Sequence, residues 1–182
     1  FCGNLAYPPN ADAASRLVRS IMPLVWADHP DAEVLLIGRG AGPALLGLAA
    51  DPRVALTGTV PDVRPHLERA AVFAAPLRAA SGIQNKVLEA LAMQVPVVAT
   101  PGAAAGLNRA GSQPPVVVGD DDRELAAAIN MALDAARRDP RPHDAAGAWV
   151  REHFVWERSA ETVACSIAEA RAIRSGSTAV VA

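Results

Sequence analysis

The chain has 182 residues, 51% of them hydrophobic, 20% charged and 4% aromatic, with a formal net charge of -2, the composition and length of one soluble globular domain. Lys and Arg (17) nearly balance Asp and Glu (19) and form no basic run, which excludes a polyelectrolyte that grips nucleic acid through its phosphates. Apolar stretches such as Val34 to Ile37 and Val95 to Ala99 are too short to span a bilayer and no signal segment leads the chain, so a cytoplasmic location is expected.

In chain order, Phe1 to Leu5 comes first, an apolar run that reads as the start of a strand inside a longer protein. Further strands are predicted at Glu33 to Ile37, Val54 to Thr57, Val72 to Ala75, Val97 to Thr100 and Val116 to Val118. Between them, Asp12 to Trp26 carries Leu17, Ile21, Leu24 and Val25 at helical spacing, and shorter helices fit Ala44 to Ala50, Val63 to Ala70 and Ile83 to Met93. After the last strand come helices only, at Arg123 to Arg137, Pro142 to His153 and Glu157 to Ala172. Alternation of this kind implies an α/β fold, a doubly wound, Rossmann-like parallel sheet of six strands with extra C-terminal helices. The domain is expected over residues 1–172, with 173–182 as a disordered tail.

A doubly wound sheet binds its ligand outside the carboxyl ends of the strands, where the connections change direction. For strand order 3-2-1-4-5-6 that point lies between the first and fourth strands, so the chemistry is expected in Gly3 to Asn10 and Pro76 to Glu89. In the second window Ser81 and Gly82 close a loop and a helix is expected from Ile83, which aims the amides of Gly82 to Asn85 into the crevice as a phosphate nest. Lys86, the only lysine in the chain, projects from the first turn, with Glu89 one turn on along the same face. Two readings stand side by side: a nucleotide site, or an exposed Lys86–Glu89 ion pair of little energetic weight.

The run Gly82-Ile83-Gln84-Asn85-Lys86-Val87-Leu88-Glu89-Ala90-Leu91-Ala92-Met93, continuing to Val95-Pro96-Val97-Val98-Ala99-Thr100, resembles the donor-binding motif of glycosyltransferase family 4. Its wording is closest to the sugar transferases that accompany exosortase and exopolysaccharide loci. Phe1-x-Gly3, Leu36-Ile37-Gly38, Leu56 to Val63 and Phe154 to Trp156 resemble further segments of that family, so the likeness runs from Phe1 to about Arg171.

The resemblance implies the C-terminal, nucleotide-sugar-binding half of a GT-B enzyme, with the N-terminal acceptor-binding domain absent from this chain. The parent would be a retaining glycosyltransferase of hexosyltransferase type, moving a sugar from a nucleoside diphosphate to a carbohydrate or lipid-linked acceptor in surface polysaccharide synthesis, peripheral to the inner face of the membrane. It also implies that Glu89 accepts from the ribose hydroxyls, that Gly82, Ile83, Gln84 and Asn85 hold the diphosphate, that Lys86 and Arg78 supply positive charge, and that Thr59 and Val60 border the base. Gly3 and Asn4 complete the donor site, while Ser81 stands where relatives often carry a second glutamate. No catalytic residue, metal or cofactor is expected in this half, which by itself is expected to be inactive. Alternatives are half of a GT-B nucleotide-sugar epimerase and a non-catalytic nucleotide-binding module.

Other motifs have plainer explanations. Gly38-x-Gly40-x-Gly42 is followed by Pro43 and comes after the second strand, not the first, which speaks against a dinucleotide fingerprint. Asp121 and Glu124 have capping-box spacing, so Asp120-Asp121-Asp122 reads as a helix start before it reads as a metal site. Cys2 and Cys165 are expected as buried free thiols, and Trp26, Trp149 and Trp156 as core anchors of their helices.

Overall fold

The computed structural model describes residues 1–109, 112–139 and 144–174. The first helical stretch is longer than the pattern predicts: α1 (Pro8–Arg16) starts on Pro8, whose missing N–H costs nothing in a first turn, and α2 (Met22–Asp28) follows. Between them Leu17–Ile21 forms a π turn. Pro23, just beyond it, lacks an N–H and crowds the carbonyl four residues back, which loosens the regular ladder at that place.

There follow β1 (Val34–Leu36), α3 (Pro43–Leu46) with a 3-10 turn at Gly47–Ala50, β2 (Val54–Leu56), α4 (Arg64–Glu68) and β3 (Phe73–Ala75). Then come α5 (Asn85–Ala92), β4 (Val97–Ala99), α6 (Pro101–Ala105), β5 (Val116–Val118), α7 (Asp122–Arg138), α8 (Asp144–His153) and α9 (Trp156–Arg174). Of the expected tail, residues 175–182 lie outside the described residues. Helix α6 escaped the sequence pattern because it is five residues long, yet Thr100 caps it by accepting from Ala103 N–H at 3.4 Å and Pro101 opens it.

All strand pairs are parallel, β1 with β2 in register Val34 to Val54, β3 with β4 in register Phe73 to Val97, and β4 with β5 in register Val97 to Val116. The expected six strands are a correction: among the described residues there are five, in sheets of two and three. Phe1 to Leu5 contributes a single bridge, Cys2 to Ile37, because the chain turns at once, Ala6 N–H and Tyr7 N–H both folding back onto Asn4.

The strands are buried on both faces in β3 and β4, as parallel strands covered by helices must be. Helix α7 packs on α2 and on β4 and β5, and α8 packs on α5. Phe73, Leu36, Val87 and Leu91 are among the most deeply buried core side chains, each contributing about 1.5–3 kcal/mol through burial. Trp26 and Trp149 act as expected, donating to Ala32 O at 2.8 Å and to Ser112 Oγ at 2.7 Å; the side chain of Trp156 lies outside the described residues. Cys2 is buried, but Cys165 is exposed on α9, whose outer face carries it into solvent. Among the described residues no helix is long and apolar enough to cross a membrane.

Candidate functional site

The loops that leave the carboxyl ends of the strands abut in a row. Gly38, after β1, donates its N–H to Gly58 O at 3.1 Å, just beyond β2, and Gly3 N–H donates to Ile37 O at 2.9 Å. A side chain at Gly38 would place its Cβ 1.7 Å from Gly3 O, so this approach of two backbones requires glycine. A Cβ at Gly3 would in turn lie 3.3 Å from Lys86 Nζ. The two windows singled out from the strand order, Gly3 to Asn10 and Pro76 to Glu89, therefore meet at Lys86, with Thr59 and Val60 following Gly58 at the far end of the row.

Lys86 sits in the first turn of α5, half-buried. Its ammonium donates to Asn10 Oδ1 and lies 4.9 Å above the Phe1 ring. Burial pushes its pKa down from the ordinary lysine value, with Cys2 and Glu89 opposing the shift. Asn10 is itself buried and donates through Nδ2 to Asn4 O at 3.0 Å, so the loop after the first segment is tied to α5 through one amide. In the linear sequence Asn10 only closes the Gly3 to Asn10 window; its role as the partner of Lys86 depends on a contact across 76 positions.

Glu89 is exposed on α5, and crowding by its neighbours raises its carboxyl above the ordinary glutamate value, with Lys86 opposing. The Lys86–Glu89 ion pair is not formed, because the ammonium is turned to Asn10 and Phe1. Helix α5 begins at Asn85 with Gln84 as N-cap, two residues later than expected. Val87 and Leu88 N–H donate to Gln84 O, so the amides of Asn85 and Lys86 are the ones the first turn leaves open. Gly82 has φ +63 and Gln84 Nε2 donates back to Ser81 O at 3.1 Å, which turns the exposed Ser81, Gly82 and Ile83 into a tight approach to the helix.

The loop after β3 is clamped from three sides. Buried Arg16 donates through Nη1 to Pro76 O at 3.1 Å and through Nε to Asp122 Oδ1 at 2.6 Å. Thr100 Oγ1 donates to Leu77 O at 2.6 Å. Gly106, ending α6, lies so near the Gly82 peptide that a Cβ there would stand 2.0 Å from Gly82 O. Arg16 and Gly106 carry no motif, and Thr100, though it ends the motif run, shows nothing in sequence of its bond to Leu77; a charged residue amid the apolar positions of the first helix is the one available signal.

Other expected residues are placed differently. Arg78 is exposed and paired with Asp12 at 2.9 Å, which offsets the charge it was expected to lend. Asn4 turns its side chain to Ala6 N–H at 3.2 Å, closing a local turn. Asp121 caps α7 as its spacing predicts, accepting from Arg123 and Glu124 N–H at 2.8 Å, while Glu124 Oε2 accepts from Asp120 N–H at 2.8 Å, one residue before the N-cap N–H that a full capping box would use. Among the described residues no three His, Cys, Asp or Glu side chains cluster as a metal would need.

Several solved structures share this fold. The Anabaena protein Alr3699/HepE in complex with UDP superposes with TM-score 0.72 at 16% identity over 92% of this chain and 48% of its own. A glycosyltransferase from Rickettsia africae gives TM-score 0.65 at 16% identity over 83% of this chain and 44% of its own. The pneumococcal O-GlcNAc transferase GtfA, in complex with UDP and GlcNAc, gives TM-score 0.61 at 14% identity over 92% and 34%. The chain thus spans about half the length of these proteins or less, and no curated protein sequence matches it. The model of the family described as glycosyl transferases group 1 matches residues 1–135, most of the chain and all of the strands and loops that build the crevice, and the chain belongs to that family.

Proposed function

We propose that this chain is the nucleotide-sugar-binding half of a retaining glycosyltransferase of hexosyltransferase type. The observation that carries the reading is the convergence of the Gly3 to Asn10 and Pro76 to Glu89 loops at the carboxyl ends of the strands, with the only lysine, Lys86, held there by Asn10. The open amides of Asn85 and Lys86 and the Lys86 ammonium face the diphosphate, whose negative charge grows as the sugar leaves. Gly82, Ile83 and Gln84 shape the turn around it, with Gly3, Asn4 and Ser81 at the edge of the site. Glu89 offers two acceptor oxygens to the ribose diol, and Thr59 and Val60 border the base. Arg78 contributes less, since Asp12 already pairs with it.

An N-terminal domain that binds the carbohydrate or lipid-linked acceptor completes the enzyme, which acts in surface or exopolysaccharide assembly, in the cytoplasm and peripheral to the membrane. The exosortase-associated transferases are the relatives whose motif wording it shares. Two observations favour a second reading, a module that binds nucleotide without transfer: Ser81 is short and neutral, and the Arg78 charge is already matched.

Titration calorimetry with UDP and GDP tests the proposal. Binding is expected with and without EDTA, because helix amides and Lys86 supply the neutralisation a divalent cation performs elsewhere, and no sugar transfer is expected from the 182-residue chain alone. A strict metal requirement would return Asp120 and Asp122 to consideration, and turnover by this chain would overturn the division of labour.

The pH dependence has a defined sign. Binding needs Lys86 charged and Glu89 ionised, and a bound diphosphate favours the protonated lysine. Affinity is therefore retained below the depressed lysine pKa and lost as pH rises through it, at a pH under the ordinary lysine range. On the acid side it is lost as pH falls through the raised Glu89 value, above the ordinary glutamate range. Measuring UDP affinity across both limbs checks each shift; an alkaline limb at or above the ordinary lysine value would count against the role of Lys86.

A further inference from the structure

The arginines around the crevice are matched by acids, with one exception. Arg78, after β3, pairs with Asp12 at 2.9 Å, Arg64, opening α4, pairs with Asp62 at 2.8 Å, and Arg16 pairs with Asp122 at 2.6 Å. Arg39, on the loop after β1, is exposed, and among the described residues its guanidinium makes no ion pair or hydrogen bond. No acidic residue occurs between Glu33 and Asp51, and Asp51 is itself taken by Arg53 at 2.7 Å.

The backbone that carries this free charge is held firmly. Arg39 O accepts from Leu5 N–H at 2.8 Å, and Gly38 N–H donates to Gly58 O at 3.1 Å. On the other side of Arg39, Gly40 has φ +79, and a Cβ there would stand 2.7 Å from Ala6 Cβ. The loop is thus wedged between the first-segment loop and the loop after β2, and Arg39 emerges between Gly3, beside Lys86, and Thr59 and Val60. Neighbouring strands lie about 5 Å apart, so the row runs roughly 10 Å from Gly3 to Gly58, about the reach of a nucleotide from its phosphates to its base. Lys86 and the open amides of α5 already meet the phosphates at one end. The Arg39 loop, bonded to Gly58, stands toward the other.

We propose that Arg39 selects the base of the donor nucleotide, taking uracil through O4 or guanine through O6 and N7 and rejecting cytosine and adenine. The proposal rests on the nucleotide-sugar reading above and adds the class of base to it. A guanidinium offers five N–H donors and no acceptor, so it rewards a carbonyl oxygen on the edge of the base that faces away from the ribose. Cytosine and adenine carry an amino group at that place, which would meet the guanidinium donor to donor and leave both unsatisfied.

Calorimetric titration with UDP, CDP, GDP and ADP compares the wild-type chain with Arg39→Met, which keeps much of the length without charge or donors, and with Arg39→Lys. The wild type is expected to favour UDP over CDP and GDP over ADP by about tenfold or more, and Arg39→Met to bring both ratios within about threefold. Thermal unfolding followed by circular dichroism should give Arg39→Met the wild-type Tm, because the guanidinium has no partner to lose. Arg39→Lys keeps donors but not the planar fork, and its preference should fall between the two. Ratios unchanged in Arg39→Met overturn the proposal, including the case in which all four affinities fall together, which would make Arg39 a cation for the phosphates. A wild type that binds UDP and CDP equally, and GDP and ADP equally, overturns it and leaves the nucleotide reading standing, whereas one that binds none of the four overturns both.

Discussion

Glu89→Gln is expected to weaken binding of UDP and GDP by about 10- to 100-fold, the equivalent of about 1.5–3 kcal/mol for a hydrogen bond to a charged acceptor. Stability should change by no more than a few tenths of a kcal/mol, because Glu89 is exposed and makes no ion pair with Lys86, whose ammonium goes to Asn10 and Phe1. Lys86→Ala should separate the ligands in a different way. Its charge faces the phosphates, so diphosphate loses more than monophosphate and uridine loses least, whereas Glu89→Gln penalises every ligand that retains the ribose. Calorimetric titration of both variants with UDP, UMP and uridine checks the pattern, with circular dichroism to establish that each variant folds. Unchanged affinity for UDP and GDP in both variants would remove the main support for the site.

Arg16→Ala is expected to destabilise the fold by about 2–4 kcal/mol and to lower Tm by about 5–12 °C. The guanidinium is buried, with 6% of the side chain exposed, and bridges α1, the loop after β3 and the start of α7. Removing it leaves buried Pro76 O without its donor and deletes the packed stem of the side chain. Asp122 contributes less to the cost: a third of its side chain (34%) meets water, which screens its charge once the partner is gone. Asp122→Asn should accordingly cost well under half as much. Since Pro76 opens the loop that leads to Gly82, nucleotide affinity should fall with Arg16→Ala even at temperatures where the variant is folded. Thermal unfolding followed by circular dichroism, together with UDP titration, reads both effects; a Tm unchanged within error would show that the clamp is dispensable.

Features set by neighbouring residues were legible in the linear chain. The alternation of β-branched runs with helical periods determined the α/β class and parallel strands, since hydrophobic period and short-range hydrogen bonding depend on residues a few positions apart. Asp121 declared itself the cap of α7 because the amides it accepts from, those of Arg123 and Glu124, lie within one turn. The order of elements also singled out Gly3 to Asn10 and Pro76 to Glu89, the two windows that Asn10 and Lys86 join. What the sequence could not determine is whatever joins distant segments: Asn10 meets Lys86 across 76 positions, and Arg16 meets Asp122 across 106. The start of α5 moved from Ile83 to Asn85 because Gly82, at φ +63, lies against Gly106 of another helix, a constraint that local propensity does not contain. The six expected strands became sheets of two and three for a similar reason. Strand propensity says that a segment can be extended, but a ladder forms only where a partner edge lies within hydrogen-bonding distance, and β1 and β3 face each other across an open slot.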